Sequence, residues 1–360
     1  LPSDLLFELS KLQDEVPPVE ISKIRQVVEK GLGQSIENVF SVFDNEPIAA
    51  ASISQVHRAV LKTEGLIVVV KVQRPGIRKK IQADLDILEN VAHRLHENSD
   101  DLRPYDLPNL VSVVRRNLIR EIDFGIEAQN LRIARTFASE TDVHIPEVYN
   151  EYCSEQMLVM EYAQGEKIRD IDIGGEDAQG LAKQGLNAVI KQILEDGFFN
   201  ADPHPGNLLV TADMQLCILD WGMVGHLTER DRYELIDLLK SVVDKNSDAL
   251  VHVLLRLSKF AGGEIDNRAL ERELLYILNT YYAVPLQDVN IGKLLLAIMT
   301  ALRNYHLQLP PDLVMMVKAL VTAEGTARQV YPEIDVVSEA KNYISRLAEQ
   351  RFNPENLWRS

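Results

Sequence analysis

Cysteine is almost absent from this chain, which has only Cys153 and Cys217 among its 360 residues. Two cysteines are too few for a disulfide framework, and these two do not form the closely spaced pairs of a zinc site. Both lie in apolar, strand-like runs, so we interpret them as core residues of a protein that works in a reducing compartment.

Long apolar runs are also absent. The longest uncharged apolar run near the end, Leu294–Leu302, has nine residues, whereas a membrane-spanning helix needs about 20. The first residues lack the basic start and apolar run of a signal peptide. We therefore expect no transmembrane segment. Because residues 1–16 have the pattern of a helix already under way, we expect the chain to be a piece of a longer protein.

Positive charge is in short supply, since 38 Lys and Arg face 54 Asp and Glu and give a net charge of -16. This excess disfavours binding to nucleic acid, which depends on neutralising phosphates with cations. Short basic patches occur at Lys79-Lys80 and Arg115-Arg116. We interpret them as solvated helix faces, with contact to a membrane surface as the alternative.

Glycine is missing from the whole stretch Pro47–Lys62, which includes the connection between the first two predicted strands. A glycine-rich phosphate loop would be expected at this position. Small alanines still allow the backbone to approach phosphates, but they disfavour positive φ angles. An ordinary turn of small residues is the alternative. The candidate nucleotide-contacting residues here are Ala49, Ala50, Ala51, Ser52 and Gln55.

The remaining pattern predicts an α+β, two-lobed architecture, in which a small antiparallel sheet with inserted helices precedes a mostly helical half. We predict a first lobe over residues 1–162 and a second over 163–360. Strands are predicted at Val39–Phe43, Ile53–Leu61, Leu66–Val72, Glu147–Tyr149, Gln156–Tyr162, Asn207–Val210 and Gln215–Leu219. Helices are predicted at Leu5–Val16, Ile21–Leu32, Ile77–Glu97, Leu107–Phe137 and Ala178–Asp196, with only helices after His226.

Asp202 and Asn207 stand five residues apart in a loop whose prolines and glycine exclude a helix. The Asp-x-x-x-x-Asn spacing is typical of a kinase catalytic loop, in which the Asp orients the attacking hydroxyl and the Asn binds Mg²⁺. A proline-rich turn is the alternative. His204, inside this loop, is interpreted as structural or as a support for the neighbouring polar residues, because no general base beyond Asp202 is required.

Asp220 begins the sequence Asp-Trp-Gly, thirteen residues after Asn207. A predicted β-hairpin separates the two, with the length needed to bring Asp220 back beside Asn207. An Asp-aromatic-Gly sequence at the end of a strand fits the metal-binding Asp of a kinase-type site. Carboxylate and amide oxygens are ligands that Mg²⁺ accepts, so Asn207 and Asp220 are the candidate metal ligands.

Lys71 is a single cation inside the apolar strand Ile67–Val72. Burying an ammonium without a partner is costly. Lys71 therefore either extends to solvent from an edge strand or binds phosphates and pairs with a helix carboxylate. The helix around residues 120–127 offers Glu121, Asp123 and Glu127, of which the last two share a face.

These stretches together resemble the UbiB family of atypical kinase-like proteins, which is associated with ubiquinone and prenyl-quinone biosynthesis. The matching segments are Pro47–Ala59, Val70–Gly76, Glu121–Asn130, Asn200–Asn207 and Leu219–Gly222. The resemblance implies a protein-kinase-like fold, with ATP or ADP and Mg²⁺ as cofactors. It implies that Lys71 and Asp202 are catalytic, that Glu127 pairs with Lys71, that Glu121 and Asp123 form a supporting Glu-x-Asp pair, and that Met160, Glu161 and Tyr162 bind adenine.

The chain departs from the family in two places. It lacks the Lys-x-Gly-Gln motif of the family's N-terminal extension and the apolar anchors that many members carry near the C-terminus. The resemblance implies a prenyl-quinone precursor or another lipid, and quinone-biosynthesis proteins, as partners. It implies a location on the cytoplasmic side, peripheral to the inner membrane, or in an organelle matrix.

Three functions stay open at this point. The first is a family-type ATPase or small-molecule kinase, and the second is a protein kinase. The third is a non-catalytic nucleotide- or lipid-binding scaffold. Only about seven residues, Met223–Glu229, separate Gly222 from the next predicted helix. This leaves little chain for the activation segment of a protein kinase and favours the first function.

Overall fold

The computed structural model of the chain describes residues 17–99, 106–138, 143–171, 175–243, 246–260, 266–282 and 290–351. The helices are α1 (Ile21–Leu32), α2 (Ile36–Val39), α3 (Ile77–Asn98), α4 (Leu107–Glu121), α5 (Phe124–Ala138), α6 (Gly175–Lys191), α7 (Glu229–Val243), α8 (Ser247–Leu257), α9 (Asn267–Tyr282), α10 (Ile291–Asn304), α11 (Pro311–Val330) and α12 (Val336–Arg351). The strands are β1 (Phe40–Phe43), β2 (Ala49–Ala50), β3 (Ser54–Leu61), β4 (Ile67–Gln73), β5 (Val143–His144), β6 (Met157–Glu161), β7 (Glu166–Lys167), β8 (Phe198–Asn200), β9 (Leu208–Val210), β10 (Leu216–Ile218), β11 (Val224–His226), β12 (Lys259–Phe260) and β13 (Leu307–Gln308).

The chain divides into two compact units. The first contains Leu1–Arg135, Pro146–Ala163 and Asp220–Gly222, and the second contains Thr136–Ile145, Gln164–Leu219 and Met223–Ser360. The short segment Asp220–Gly222 therefore belongs to the first unit, although most of the chain around it belongs to the second.

The first unit is built on an antiparallel sheet with the strand order β1-β3-β4-β6, and β2 pairs with β3. Strand β4 is rich in β-branched residues, which suit a pleated, buried surface. Its alternate valines pack with Ile24 and Val28 of α1, both fully buried. Helix α1 ends at Gly33, whose φ of 67° supplies a left-handed C-cap. Because side chains alternate along a strand, Lys71 points to the face opposite to α1.

The second unit is mostly helical. Its sheet has the order β5-β10-β9-β7, and the pairs β8 with β11 and β12 with β13 stand apart from it. The core contains apolar side chains of α6, α8, α10 and α11. Asn246 and Asn290 begin α8 and α10, because their side-chain oxygens accept the N–H groups of Ala249 and Lys293. A sheet unit followed by a mostly helical unit confirms the predicted α+β class.

The predicted single helix Leu107–Phe137 is wrong, because the chain leaves helical geometry between Glu121 and Phe124. The side-chain amide of Gln73 donates to the carbonyl of Ile122, which is buried. The carboxylate of Asp123 accepts the N–H of Gly125 at 3.0 Å and starts α5. Local hydrogen bonding by a short acidic side chain thus competes with helix continuation.

Two further predictions of secondary structure are corrected. The predicted strand Glu147–Tyr149 forms only an isolated bridge, from Val148 to Met160. The region after His226 is not wholly helical, since the short strands β12 and β13 pair with each other. The predicted helix Leu5–Val16 lies outside the described residues. Among the helices that the structure describes, none is both long and apolar enough to cross a bilayer.

Two glycines of the second unit give a stability test. A Cβ at Gly225 in β11 would overlap the buried ring of Phe199, whereas a Cβ at Gly180 in α6 would meet no atom within 4 Å. We expect Gly225→Ala to lower the free energy of unfolding by roughly 1–3 kcal/mol. Gly180→Ala should raise it by up to about 1 kcal/mol, since alanine favours a helix interior. Denaturant unfolding measures both, and equal midpoints for the two variants would contradict this packing.

Candidate active site

Lys71, Glu127 and Asp220 form a polar cluster in the first unit, and Lys71 lies at its centre. Its ammonium donates to Glu127 Oε1 at 2.7 Å, to Glu127 Oε2 at 2.9 Å and to Asp220 Oδ2 at 3.3 Å. The ring of Phe124 lies 5.2 Å from the ammonium and adds a cation–π contact. The Lys71 side chain is only 15% exposed. Lys71 therefore does not extend to solvent but is held by two carboxylates and an aromatic ring.

Glu127 is the helix carboxylate that reaches Lys71, and its side chain is 3% exposed. Asp123 instead accepts the N–H of Gly125 and so begins the helix that carries Glu127. Glu121, the last residue of α4, is exposed. The break between α4 and α5 explains why Glu127, and not Glu121 or Asp123, contacts Lys71. It starts a new helix whose first turns place Glu127 inward.

The segment Asp220–Gly222 is fixed against α5 by its backbone. The side-chain amide of Asn130 donates to the carbonyl of Trp221 at 2.9 Å, and the N–H of Trp221 donates to Glu127. The indole of Trp221 is buried. The N–H of Gly222 donates to Asp220 Oδ1 at 2.9 Å. Helix α5 therefore positions Asp220 through two residues one turn apart, Glu127 and Asn130.

The charges of this cluster are unbalanced, because one ammonium faces two carboxylates. Burial raises the pKa of Glu127 to about 7, against the opposing effect of Lys71. Burial alone would raise the pKa of Asp220, but Lys71 and the N–H of Gly222 hold that pKa below its usual value. Burial alone would lower the pKa of Lys71, yet Asp220 and Glu127 raise it. Asp220 is thus the carboxylate that stays ionised near neutral pH.

Asp220 fits the predicted role of a magnesium ligand. Its carboxylate is ionised and 38% exposed, so it can reach a bound ion. Within the described part of the chain, no three His, Cys, Asp or Glu side chains form a metal cluster. Mg²⁺ is commonly held by one or two protein ligands together with substrate phosphates and water. An ion held by Asp220 would take its remaining oxygens from other groups, such as water or the phosphates of a nucleotide.

The loop that carries Ala49, Ala50 and Ala51, here called the alanine-rich loop, forms a tight hairpin that hydrogen bonds hold in place. Ala49 and Ala50 pair with β3, and the N–H of Ala51 donates to the carbonyl of Ser54 at 2.8 Å. The guanidinium of Arg74 donates to the carbonyl of Ala51 at 2.7 Å. None of the three alanines has a positive φ, as the absence of glycine predicts. Ser52 is exposed at the turn.

Gln55 is not at this face of the sheet. Its side chain is fully buried, and its amide oxygen accepts the N–H of Val19. The neighbouring Val56 is the residue paired with Lys71, so alternation along β3 turns Gln55 to the opposite face. The predicted contact between Gln55 and nucleotide therefore has no support in the structure.

The predicted adenine-binding residues lie at the end of β6. Met160 is buried and pairs with Val69 of β4, and the N–H of Tyr162 donates to the carbonyl of Ile67. The carboxylate of Glu161 accepts the N–H of Glu147 at 3.0 Å and is already engaged. The backbone of this segment is fixed by the sheet, and its contact with adenine stays a prediction.

In the second unit, Asp202 and Asn207 stand at the two ends of a rigid loop. The N–H of Asp202 donates to the side chain of Asn200, and the imidazole Nδ1 of His204 accepts the N–H of Gly206 at 3.1 Å. The carbonyl of Asn207 accepts the N–H of Leu219 at 3.0 Å. His204 thus has the structural role predicted for it, and the loop holds its two polar side chains on a fixed backbone.

Sequence reasoning missed two residues of these sites, Asn130 and Lys318. The ammonium of Lys318 on α11 lies 3.1 Å from Asp202 Oδ2. Lys318 stands alone in the apolar run Leu313–Val321, the same signal that pointed to Lys71. Asn130 is a buried amide whose near neighbours in the sequence, Gln129 and Arg132, are also polar. A search for single charges within apolar runs would have found Lys318 but not Asn130.

The raised pKa of Glu127 predicts a pH effect on stability. The folded protein keeps a proton on Glu127 up to pH about 7, whereas the ordinary pKa is 4.5. The free energy of unfolding of the wild type should therefore fall, relative to Glu127→Gln, as the pH rises from 4.5 to about 7. Denaturant unfolding at several pH values measures this difference. Parallel pH dependences in the two proteins would contradict the burial of a titrating Glu127.

Comparison with protein families matches residues 11–254 to the ABC1 atypical kinase-like domain and residues 274–335 to the UbiB helical domain. A protein of Cellvibrio japonicus named probable protein kinase UbiB is 34% identical over 100% of this chain and 66% of its own length. Relatives with the same name in Tolumonas auensis and Azotobacter vinelandii are 32% and 33% identical, and the matches cover 67% and 68% of those relatives. The chain thus spans about two thirds of the length of these curated relatives.

A solved structure of Rv3197 in complex with erythromycin, from Mycobacterium tuberculosis, has a TM-score of 0.69 to this chain. It covers 96% of this chain and 88% of its own at 23% identity, so this likeness bears on the fold alone. The predicted kinase-like fold is confirmed. The family match covers most of the chain and the UbiB relatives align with all of it, so the chain belongs to the UbiB family of ABC1 atypical kinase-like proteins.

Proposed function

We propose that this chain binds ATP together with Mg²⁺ and hydrolyses it, or transfers its terminal phosphate to a small molecule. The contact of Lys71 with Glu127 and Asp220 carries the proposal. In kinase-type sites, a strand lysine paired with a helix glutamate binds the phosphates, and an Asp-aromatic-Gly aspartate binds the metal. The same three residue types meet here in the same chain order.

Each residue of the first unit has a defined task in this proposal. Lys71 binds the α- and β-phosphates, and Glu127 keeps the ammonium in place. Asp220 holds the metal, which when bound neutralises charge on the phosphate oxygens. The hairpin of Ala49, Ala50 and Ala51 presents its backbone to the nucleotide in a conformation preset by Arg74.

Asp202 supplies the proton acceptor of the proposed reaction. In hydrolysis, the oxygen of a water molecule bonds to the terminal phosphorus while the bond from that phosphorus to the bridging oxygen breaks. The water proton passes to Asp202, and the products are ADP and phosphate. With a small-molecule acceptor, a hydroxyl replaces the water. Asn207, five residues further on the same loop, is the proposed second metal ligand.

A protein substrate is disfavoured by the short segment after Gly222. Only six residues, Met223–Thr228, lie between Gly222 and the start of α7, and three of them form β11. A protein kinase carries a long activation segment at this position, which contributes to peptide binding. Although the relatives are named probable protein kinases, the shortness of this segment leads us to propose water or a small molecule as the phosphate acceptor.

The biological setting follows from the family. The relatives bear the name UbiB, and we propose that this chain supports the biosynthesis of ubiquinone or a related prenyl-quinone. A prenyl-quinone precursor or lipid, reached at a membrane surface, is the proposed partner class.

The proposal predicts nucleotide binding that depends on Mg²⁺. ADP should raise the melting temperature of the wild-type chain in the presence of Mg²⁺ and much less with a chelator, since binding to the folded state stabilises it. Asp220→Ala should lose this difference, because the ionised ligand is gone. The readout is the thermal shift at fixed ADP, with and without Mg²⁺.

Asp213→Ala is the matched control, since Asp213 is an exposed acidic residue at the tip of the β9–β10 hairpin. It should behave like the wild type. A Mg²⁺-dependent shift that persists unchanged in Asp220→Ala would reject Asp220 as a metal ligand. Absence of any ADP-dependent shift in the wild type would reject the proposed function.

A further inference from the structure

The loop that carries Asp202 and Asn207 has no lysine or arginine of its own. No Lys or Arg occurs between Phe198 and Val210. His204 is engaged within the loop itself, since its Nδ1 accepts the N–H of Gly206. Phosphoryl transfer needs positive charge near the terminal phosphate. Besides Lys71 and the proposed metal, a side-chain cation beside Asp202 would therefore have to come from another element.

Helix α11 provides the ammonium at this loop. Lys318 Nζ lies 3.1 Å from Asp202 Oδ2 and 3.7 Å from the sulfur of Met223. An ammonium has three donors, and the Lys318 side chain remains 47% exposed. After the bond to Asp202 it can still donate to an incoming phosphate oxygen.

The helix is fixed to the neighbouring backbone on both sides of Lys318. Towards its start, Asp312 Oδ1 accepts the N–H of His226 at 3.1 Å. Towards its end, the hydroxyl of Thr326 donates to the carbonyl of Thr322 at 2.9 Å and packs 3.4 Å from the carbonyl of Pro203. The residues on either side of Lys318, Val317 and Ala319, are buried in the helical core. The ammonium is therefore presented to Asp202 by a helix that cannot easily turn away.

We propose that Lys318 is a positioning residue of the active site, which orients the Asp202 carboxylate and contacts the terminal phosphate of ATP. This inference rests on the proposed function and extends it. It gives the family's helical domain, to which residues 274–335 are matched, a direct part in nucleotide discrimination. ATP carries the extra phosphate and ADP does not, so Lys318 should favour ATP.

The alternative is a surface ion pair without a role in binding. Both partners are about half exposed, and such pairs contribute little to stability. Replacing Lys318 should consequently leave the melting temperature nearly unchanged under either view. Nucleotide preference, by contrast, separates the two views.

The test measures dissociation constants for ADP and for a non-hydrolysable ATP analogue, both with Mg²⁺, in four proteins. These are the wild type, Lys318→Met, Lys318→Arg and Lys240→Met, the last replacing an exposed lysine at the end of α7. Lys318→Met should lose about tenfold in affinity for the ATP analogue, as expected for one charge-assisted hydrogen bond. Its affinity for ADP should change less than about threefold. Lys318→Arg should retain the ATP preference, and Lys240→Met should match the wild type.

Two results would overturn the inference while leaving the proposed function intact. One is wild-type affinity for the ATP analogue in Lys318→Met, and the other is an equal loss of affinity for both nucleotides. If the wild type binds neither nucleotide, the proposed function fails, and this inference is rejected with it.

Discussion

An ammonium inside an apolar sheet remains charged only when carboxylates surround it, and Lys71 imposes this constraint on the first unit. Glu127 on α5 and Asp220, from a segment far along the chain, are the two carboxylates that contact the ammonium. Other local features follow from this need. Asp123 starts a new helix so that Glu127 turns inward, and Asn130 fixes the backbone of Trp221 next to Asp220. The polar cluster therefore organises the fold of this unit.

The two carboxylates also leave one negative charge in excess, which is costly in a buried site. The raised pKa of Glu127 and the lowered pKa of Asp220 show how the protein distributes this excess. The more buried carboxylate takes up a proton readily, and the more exposed one stays ionised. A cation beside Asp220 would relieve the imbalance, which gives a physical reason for a metal to bind there. The second unit places its own carboxylate, Asp202, beside an ammonium from α11.

The residues that could be predicted from sequence are those with a fixed local spacing or a single charge in an apolar run. Asp202 and Asn207 share one loop, and Lys71 is the only charge in its strand, so a short window contains their signal. The sequence limited the partner of Lys71 to three carboxylates, those of Glu121, Asp123 and Glu127, but did not show which of them forms the contact. The choice depends on the helix break at Ile122 and Asp123, which is set by hydrogen bonds to the distant Gln73 and to Gly125.

Gln55 and Lys318 show the limits of reasoning from position alone. Gln55 follows the alanine-rich loop closely, but strand alternation and a hydrogen bond to Val19 turn it into the core. Lys318 lies 116 residues after Asp202 and meets it only through the packing of α11. Long-range packing of this kind leaves no periodic pattern in the sequence, so the isolated lysine is visible there but its partner is not. The division of the chain, in which Asp220–Gly222 joins the first unit, likewise depends on tertiary contacts.

The central claim is that the cluster around Lys71 and Asp220 serves ATP chemistry and is not only a buried ion pair. The most direct measurement is phosphate release from ATP by the purified chain with Mg²⁺, compared between the wild type and Asp220→Asn. We expect turnover by the wild type and a decrease of about 100-fold or more in the variant, because an ionised group that acts on the phosphates is lost. Equal turnover in both proteins, or none in the wild type, would contradict the account.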